Sequence, residues 1–234
     1  MLRISNPHQS GGSGIPEITR LRLGSLEPFT LDEELLNALA ESQTFCRHLH
    51  LPMQSGDDAV LASMRRGHRA EDFVRVCDLA REVLGDDLHL SSDVMVAFPG
   101  EDAAAFHNTM TIMEKVRLGR VHVFPYSPRK GTTAVNLPGR VSHETSSERV
   151  KTAMALGESL LDRYASRFVG RNLSVLIEDS LSENNDENSF TGYTRNFVSA
   201  IVRSESGIEV GREIEARMTK CSGGKLSGVN GVKI

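Results

Sequence analysis

Four short stretches of this 234-residue chain gather small, polar and charged residues in a way that could hold a ligand: SLEPF from Ser25, QSGDD from Gln54, FPGED from Phe98 and YSPRKGT from Tyr126. Glycine lets backbone approach a ligand closely, while Ser, Gln and Glu supply hydrogen bonds. Taken singly, each stretch reads equally well as a tight turn leading into a helix cap. Arg66 offers a guanidinium suited to bidentate binding of a carboxylate. Its competing reading is a solvated arginine near a helix C-terminus, and Glu101 likewise reads as a carboxylate at a helix N-terminus. His48 and His50 fall on one side of a strand-like run and read as interior packing and hydrogen-bonding residues rather than ligands. Cys46, Cys77 and Cys221 lack CxxC spacing, so they read as buried thiols in a reducing compartment. Neither a GxSxG elbow nor a lysine at a strand end is present, which weighs against a hydrolase or an aldolase.

The elements that must position these stretches alternate. Strand-like runs at 18–26, 48–53, 88–97 and 120–125 each end at one of the four loops. Helical periodicity follows over 31–42, 57–66, 70–84, 103–117 and 143–168. Thr30 or Asp32 is expected to cap the first helix, and Gly67 to close the second. Strands separated by helices of this length pair in parallel through crossovers, and such layers carry their sites at the strands' C-terminal ends. After Phe168 the period changes to two. LSVLIED, FTGYTRNFVSAIVR, GIEVGREIEARMTK and KLSGVNGVKI, divided by turn-rich segments, predict a small all-β barrel.

Composition sets limits on partners. With 39% apolar and 25% charged residues the chain is close to a globular average. Its net charge of −4 argues against nucleic-acid binding by bulk electrostatics. Residues 168–234 hold eight Lys or Arg against nine Asp or Glu. RNA contact there needs a one-sided arrangement of Arg195, Arg203, Arg212, Arg217 and Lys220, and the alternative is the solvated side of alternating strands. No run approaches the roughly 20 apolar residues of a membrane span, and MLRISNPHQSGGSG has no apolar signal core. A cytoplasmic location without membrane contact is expected.

The stretches IPEITRLRLGSLEP, CRHLHLPMQSGDDAVLASMRRGHRAEDF, DVMVAFPGE and VHVFPYSPRKGTTA together resemble the later barrel strands of the radical S-adenosylmethionine tRNA methylthiotransferases. HVFPYSPR is most like the branch acting on N6-threonylcarbamoyladenosine, and VGRNLSVLIED with FTGYTRNFVSAIV is similar to the TRAM domain of those enzymes. The resemblance implies an α/β fold: an incomplete TIM-like radical SAM barrel over 15–166, a TRAM barrel over 167–234, and an atypical segment at 1–14. It implies transfer of a methylthio group to C2 of the modified adenosine beside the anticodon, with tRNA as partner. The cofactors it implies are S-adenosylmethionine and a [4Fe–4S] cluster that cleaves it to a 5′-deoxyadenosyl radical.

Carried over by position, Ser25, Glu27, Gln54, Ser55, Arg66, Glu101, Tyr126 and Ser127 would line the cofactor site. Arg66 would pair the methionine carboxylate, Glu101 would meet the amino group or ribose, and Tyr126 and Ser127 would lie beside the adenine. Gly24 stands where the family usually has Ser, and Ala97 where it usually has Gly. The family's CxxxCxxC is absent from the chain, and its three cysteines do not imitate it, so no cluster ligand is expected here. The first two barrel strands and a preceding domain are expected to be missing, through a split gene, a gene-model error or a degraded gene. A separate chain would then carry them. The alternative function is an inactive RNA-binding remnant acting through the TRAM barrel.

Overall fold

A computed structural model describes residues 3–4, 18–181 and 188–231 of the chain. The atypical segment expected at 1–14 therefore lies outside the described residues, apart from the backbone of β1 (Arg3–Ile4), which pairs antiparallel with β2 (Leu21–Arg22). The strand expected over 18–26 is confined to β2. Beyond it the chain runs beside the next strand through isolated bridges, with the Leu26 N–H donating to the His50 carbonyl at 3.0 Å.

α1 (Glu33–Glu41) begins at Asp32, whose carboxylate accepts from the Leu35 N–H at 2.8 Å and so satisfies one of the helix's free donors. β3 (His48–His50) is shorter than expected, and a single bridge from Gln54 to Val94 continues its pairing. α2 (Asp58–Ser63) is capped by Asp57. It ends at Met64, followed by Arg65 at a φ of 59°, so Gly67 does not close it. α3 (Ala70–Leu84), β4 (His89–Val96), α4 (Ala103–Lys115), β5 (Arg120–Pro125) and α5 (His143–Ser166) complete the α/β part.

β3, β4 and β5 form an open parallel sheet in that order. Strand alternation gives it two unlike faces. Leu49, Leu90, Val94, Val121 and Val123 join Leu36, Phe73 and Met113 of the helices in one core. Each fully buried aliphatic there contributes about 1.5–3 kcal/mol. His48, His50, Ser91, Asp93 and His122 alternate with these and make the other face polar. Gly56 was expected to allow close approach of a ligand. Instead α4 approaches it: a Cβ at Gly56 would meet the Thr109 Cα at 2.6 Å, and the Gly56 N–H donates to Thr109 Oγ1 at 2.9 Å.

The chain then forms β6 (Asn172–Ser180), β7 (Ser189–Thr194), β8 (Ser199–Arg203), β9 (Glu213–Ser222) and β10 (Lys225–Asn230), closed into a five-stranded barrel in the order β10-β8-β7-β6-β9. Its pairs are antiparallel except β10 with β8. Closure leaves no open edge for another chain to extend. Tyr164, Ala165 and Phe168 of the α5 end are part of the barrel core with Val175, Ile177, Val202 and Met218. A cut near 166 would pass through this shared core.

Polar contacts add to it. Arg20 donates to the Tyr193 carbonyl at 3.1 Å and to Glu213 at 2.8 Å, and Arg171 forks onto Asp87 at 2.9 and 2.6 Å. No helix among the described residues is long and apolar enough to cross a membrane.

Candidate functional site

The loops at the C-terminal ends of the strands do lie on one side of the sheet, but their side chains divide into separate settings. Ser25 is exposed, and its backbone bridges His50. Glu27 accepts from Arg66 at 3.1 Å, a half-exposed pair between the first loop and the segment after α2. The pair engages Arg66 through Nη1 alone, so a carboxylate ligand gains the whole guanidinium by exchange for Glu27. Such an exposed pair contributes at most about 1 kcal/mol, so exchange is inexpensive.

Gln54 and Ser55 are buried. Gln54 takes a φ of 67° and its backbone bridges Val94 of β4, while Ser55 Oγ lies 3.3 Å from Thr109 Oγ1 and so serves the packing of the loop on α4. Glu101 is buried as well. Its Oε2 accepts from the Phe98 N–H at 3.2 Å, while Arg149 of α5 lies 3.3 Å from Oε1 and donates to the Glu101 carbonyl at 2.9 Å. Burial pushes the Glu101 carboxyl above the usual range, opposed by Arg149 and by the Phe98 and Ala97 N–H groups. Sequence reasoning named Glu101 but missed Arg149, which lies 48 residues away on a helix whose pattern carries no local sign of a partner.

Tyr126 and Ser127 open on a cavity of about 630 Å³ at the ends of β4 and β5, shared with Ala97, Pro99, Arg140 and His143. Ligand cavities span roughly 300–1,000 Å³. The Tyr126 hydroxyl is buried without a hydrogen-bond partner, and its ring meets Phe98 edge-on at 5.1 Å.

Ala97 holds a φ of 61° at the cavity wall. An L side chain in the left-handed region costs roughly 1–2 kcal/mol, which explains why a glycine suits this position. Ala97→Gly also loses a buried methyl and gains unfolded-chain entropy, so the net change in urea denaturation is expected between zero and about 1 kcal/mol of stabilisation. A loss of about 0.5–1 kcal/mol, the ordinary result for Ala→Gly in regular structure, would show that Ala97 carries no such strain.

The barrel residues are also dispersed. Arg203 and Lys220 line one groove of about 860 Å³ with Thr219 and Ser227. Arg217 is exposed on β9, and Arg212 is near Glu209 at 3.4 Å. Arg195 turns the other way. It donates to the Gln43 carbonyl at 2.8 Å and the Thr44 carbonyl at 3.1 Å, fastening the barrel to the α/β part, so it does not share the groove.

Cys46 and Cys77 are buried, and Cys221 is half-buried on β9. Burial pushes the Cys77 thiol up to about 12. Among the described residues no cysteine joins a group of three convergent ligands. The residues present therefore do not fit an iron–sulfur cluster.

Residues 23–113 match the model of the radical SAM superfamily. The threonylcarbamoyladenosine tRNA methylthiotransferase MtaB of Bacillus subtilis is 33% identical over 204 residues, covering 87% of this chain and 45% of its own. The tRNA-2-methylthio-N(6)-dimethylallyladenosine synthase of Methylacidiphilum infernorum is 35% identical over 183 residues, covering 78% and 38%. Coproporphyrinogen III oxidase (HemN) of Escherichia coli, a radical SAM enzyme of solved structure, aligns at 17% identity and a TM-score of 0.48 over 62% of this chain and 33% of its own. The chain spans less than half the length of the two curated relatives. The matched superfamily region contains three of the four strand-end loops, and the similarity to the curated relatives extends over most of the chain: it belongs to the radical S-adenosylmethionine tRNA methylthiotransferase family.

Proposed function

We propose that these residues form part of a cytoplasmic tRNA methylthiotransferase of the radical SAM type, acting on N6-threonylcarbamoyladenosine beside the anticodon. The observation that carries this reading is the 33% identity to MtaB across 87% of the chain, which spans the sheet and reaches well into the barrel. HVFPYSPR, at the end of β5, favours the threonylcarbamoyl branch over the dimethylallyl one. The five-stranded barrel is read as the TRAM domain, with Arg203 and Lys220 meeting tRNA phosphate and Arg212 and Arg217 adding charge at its surface.

S-adenosylmethionine, when bound, supplies the methyl group and the radical precursor. The strand-end chemistry fits it: Arg66 holds the carboxylate after leaving Glu27, and Tyr126 and Ser127 line the cavity where the adenine would lie. Glu101 acts by shaping the loop beneath that cavity, with Ser25, Gln54 and Ser55 fixing the neighbouring turns. The cluster's thiolates come from sequence outside these 234 residues.

Nucleoside mass spectrometry of tRNA tests this in cells lacking the modification. The chain expressed alone should give no 2-methylthio-N6-threonylcarbamoyladenosine, and co-expression with a CxxxCxxC-bearing half from a relative should restore it. Product from the chain alone, no product from the pair, or methylthiolation only of dimethylallyladenosine would each overturn the proposal.

A further inference from the structure

The polar face of the sheet holds a group of ligands that the methylthiotransferase reading does not use. His50, Asp93 and His122 come from three adjacent strands, β3, β4 and β5, with Asp93 directly paired to His122 in the β4–β5 register. One ligand atom from each lies within 4.8 Å of the other two. We infer that His50, Asp93 and His122 form a binding site for one divalent transition-metal ion, of which zinc is the best match.

The ligand set is two imidazoles and one carboxylate, the donors that borderline ions such as Zn²⁺ select, and it contains no thiolate. With metal–ligand bonds of about 2.0–2.2 Å, tetrahedral ligand atoms stand about 3.3–3.6 Å apart. His50 Nε2 and Asp93 Oδ2 are already at 3.4 Å. The His122 ligand atom lies within 4.8 Å of both, and His122 is the exposed member at the sheet's edge, where its side chain is free to adjust.

An oriented outer shell is also present. Ser91 Oγ lies 2.9 Å from His50 Nδ1 and 2.8 Å from His48 Nε2. When the His50 Nδ1–H donates to that hydroxyl, the Nε2 lone pair faces the gap beside Asp93. Metal-binding histidines are held by this same arrangement of the second ring nitrogen. Arg120, on the same strand as His122, lies over the Phe197 ring at 5.8 Å. Three protein ligands leave a fourth position on the solvent side for water or another small donor.

Cobalt titration of the full chain, monitored in the visible region, tests the site. One equivalent of Co²⁺ should develop the intense d–d bands of low coordination number and should be displaced by Zn²⁺. His122→Ala, at an exposed position where folding is not at stake, and Asp93→Asn should abolish the bands. Ser91→Ala should weaken binding by about ten- to a hundredfold. His107→Ala, an exposed histidine on α4, should change nothing. Failure to take up Co²⁺, a spectrum that persists in His122→Ala, or a near-ultraviolet thiolate charge-transfer band would overturn the assignment.

Discussion

Arg149→Met is expected to lower the unfolding free energy by about 3–5 kcal/mol at pH 8, the cost of stranding a buried charge without its partner. The side chains of Glu101 and Arg149 are only 2% and 10% exposed, so solvent does not replace what is lost. The double variant Glu101→Gln with Arg149→Met removes both charges and should recover more than half of the deficit. The pH dependence has a definite sign. The folded carboxyl of Glu101 is raised above its ordinary value. Its contribution to stability is therefore complete below about pH 4.5 and is lost as pH rises through the folded value. Removing Arg149 raises that value further, so the Arg149→Met deficit should shrink on going from pH 8 to pH 5.5. Urea denaturation at both pH values decides it. A deficit below 1 kcal/mol, or one that does not change with pH, would show Glu101 to be solvated and available to a ligand after all.

That pair also marks where the sequence stopped being informative. Helices were legible because their apolar spacing and caps are local: the cap of α1 was narrowed to Thr30 or Asp32 from neighbours alone, and it is Asp32 that accepts from Leu35. The barrel was legible from the change to a period of two after Phe168, although its closure through the parallel β8–β10 pair was not. ITRLRLGSL alternates like a strand, yet only Leu21–Arg22 pairs as one, because the run meets β3 through isolated bridges rather than a ladder. Charge partners were the least legible. Arg66 and Glu27 are 39 residues apart, and each looked like a free ligand contact until the fold joined them. Gly56 carried a correct signal of close approach with the wrong neighbour, since helix α4 fills the space. His50, Asp93 and His122 share no motif, and only the parallel register of three strands brings them together.

Mild acid is expected to destabilise the protein well before its carboxylates titrate, and His89 should account for about one proton of that effect. Its ring is fully buried at the start of β4, stacked on Tyr164 at 4.5 Å, with Nδ1 2.8 Å from the Asn196 carbonyl. Asn196 in turn donates to the Tyr164 hydroxyl at 2.9 Å, and that hydroxyl donates to the Asp87 carbonyl at 2.7 Å. Sheet, α5 and the β7–β8 turn are thereby joined through one imidazole. Nδ1–H must be the donor to the carbonyl, which leaves Nε2 buried beside Gly119 with no hydrogen bond of good geometry, so a second proton there is disfavoured. Burial lowers the ring's pKa from 6.5 to about 4, against the raising influence of its backbone hydrogen bonds. The unfolded chain then binds a proton that the folded chain refuses. The stability tied to the neutral ring is complete above about pH 6.5 and is lost as pH falls toward 4. A shift of this size is worth on the order of 3 kcal/mol at the acid end. In denaturant titrations across this window, His89→Phe should reduce the slope of unfolding free energy against pH by close to one proton, about 1.4 kcal/mol per pH unit. The substitution removes the hydrogen bond to Asn196, so a lower stability at pH 8 is expected as well and does not bear on the slope. An unchanged slope would mean that His89 accepts its proton in the folded state, and that the contact between sheet and barrel opens in acid without the chain unfolding.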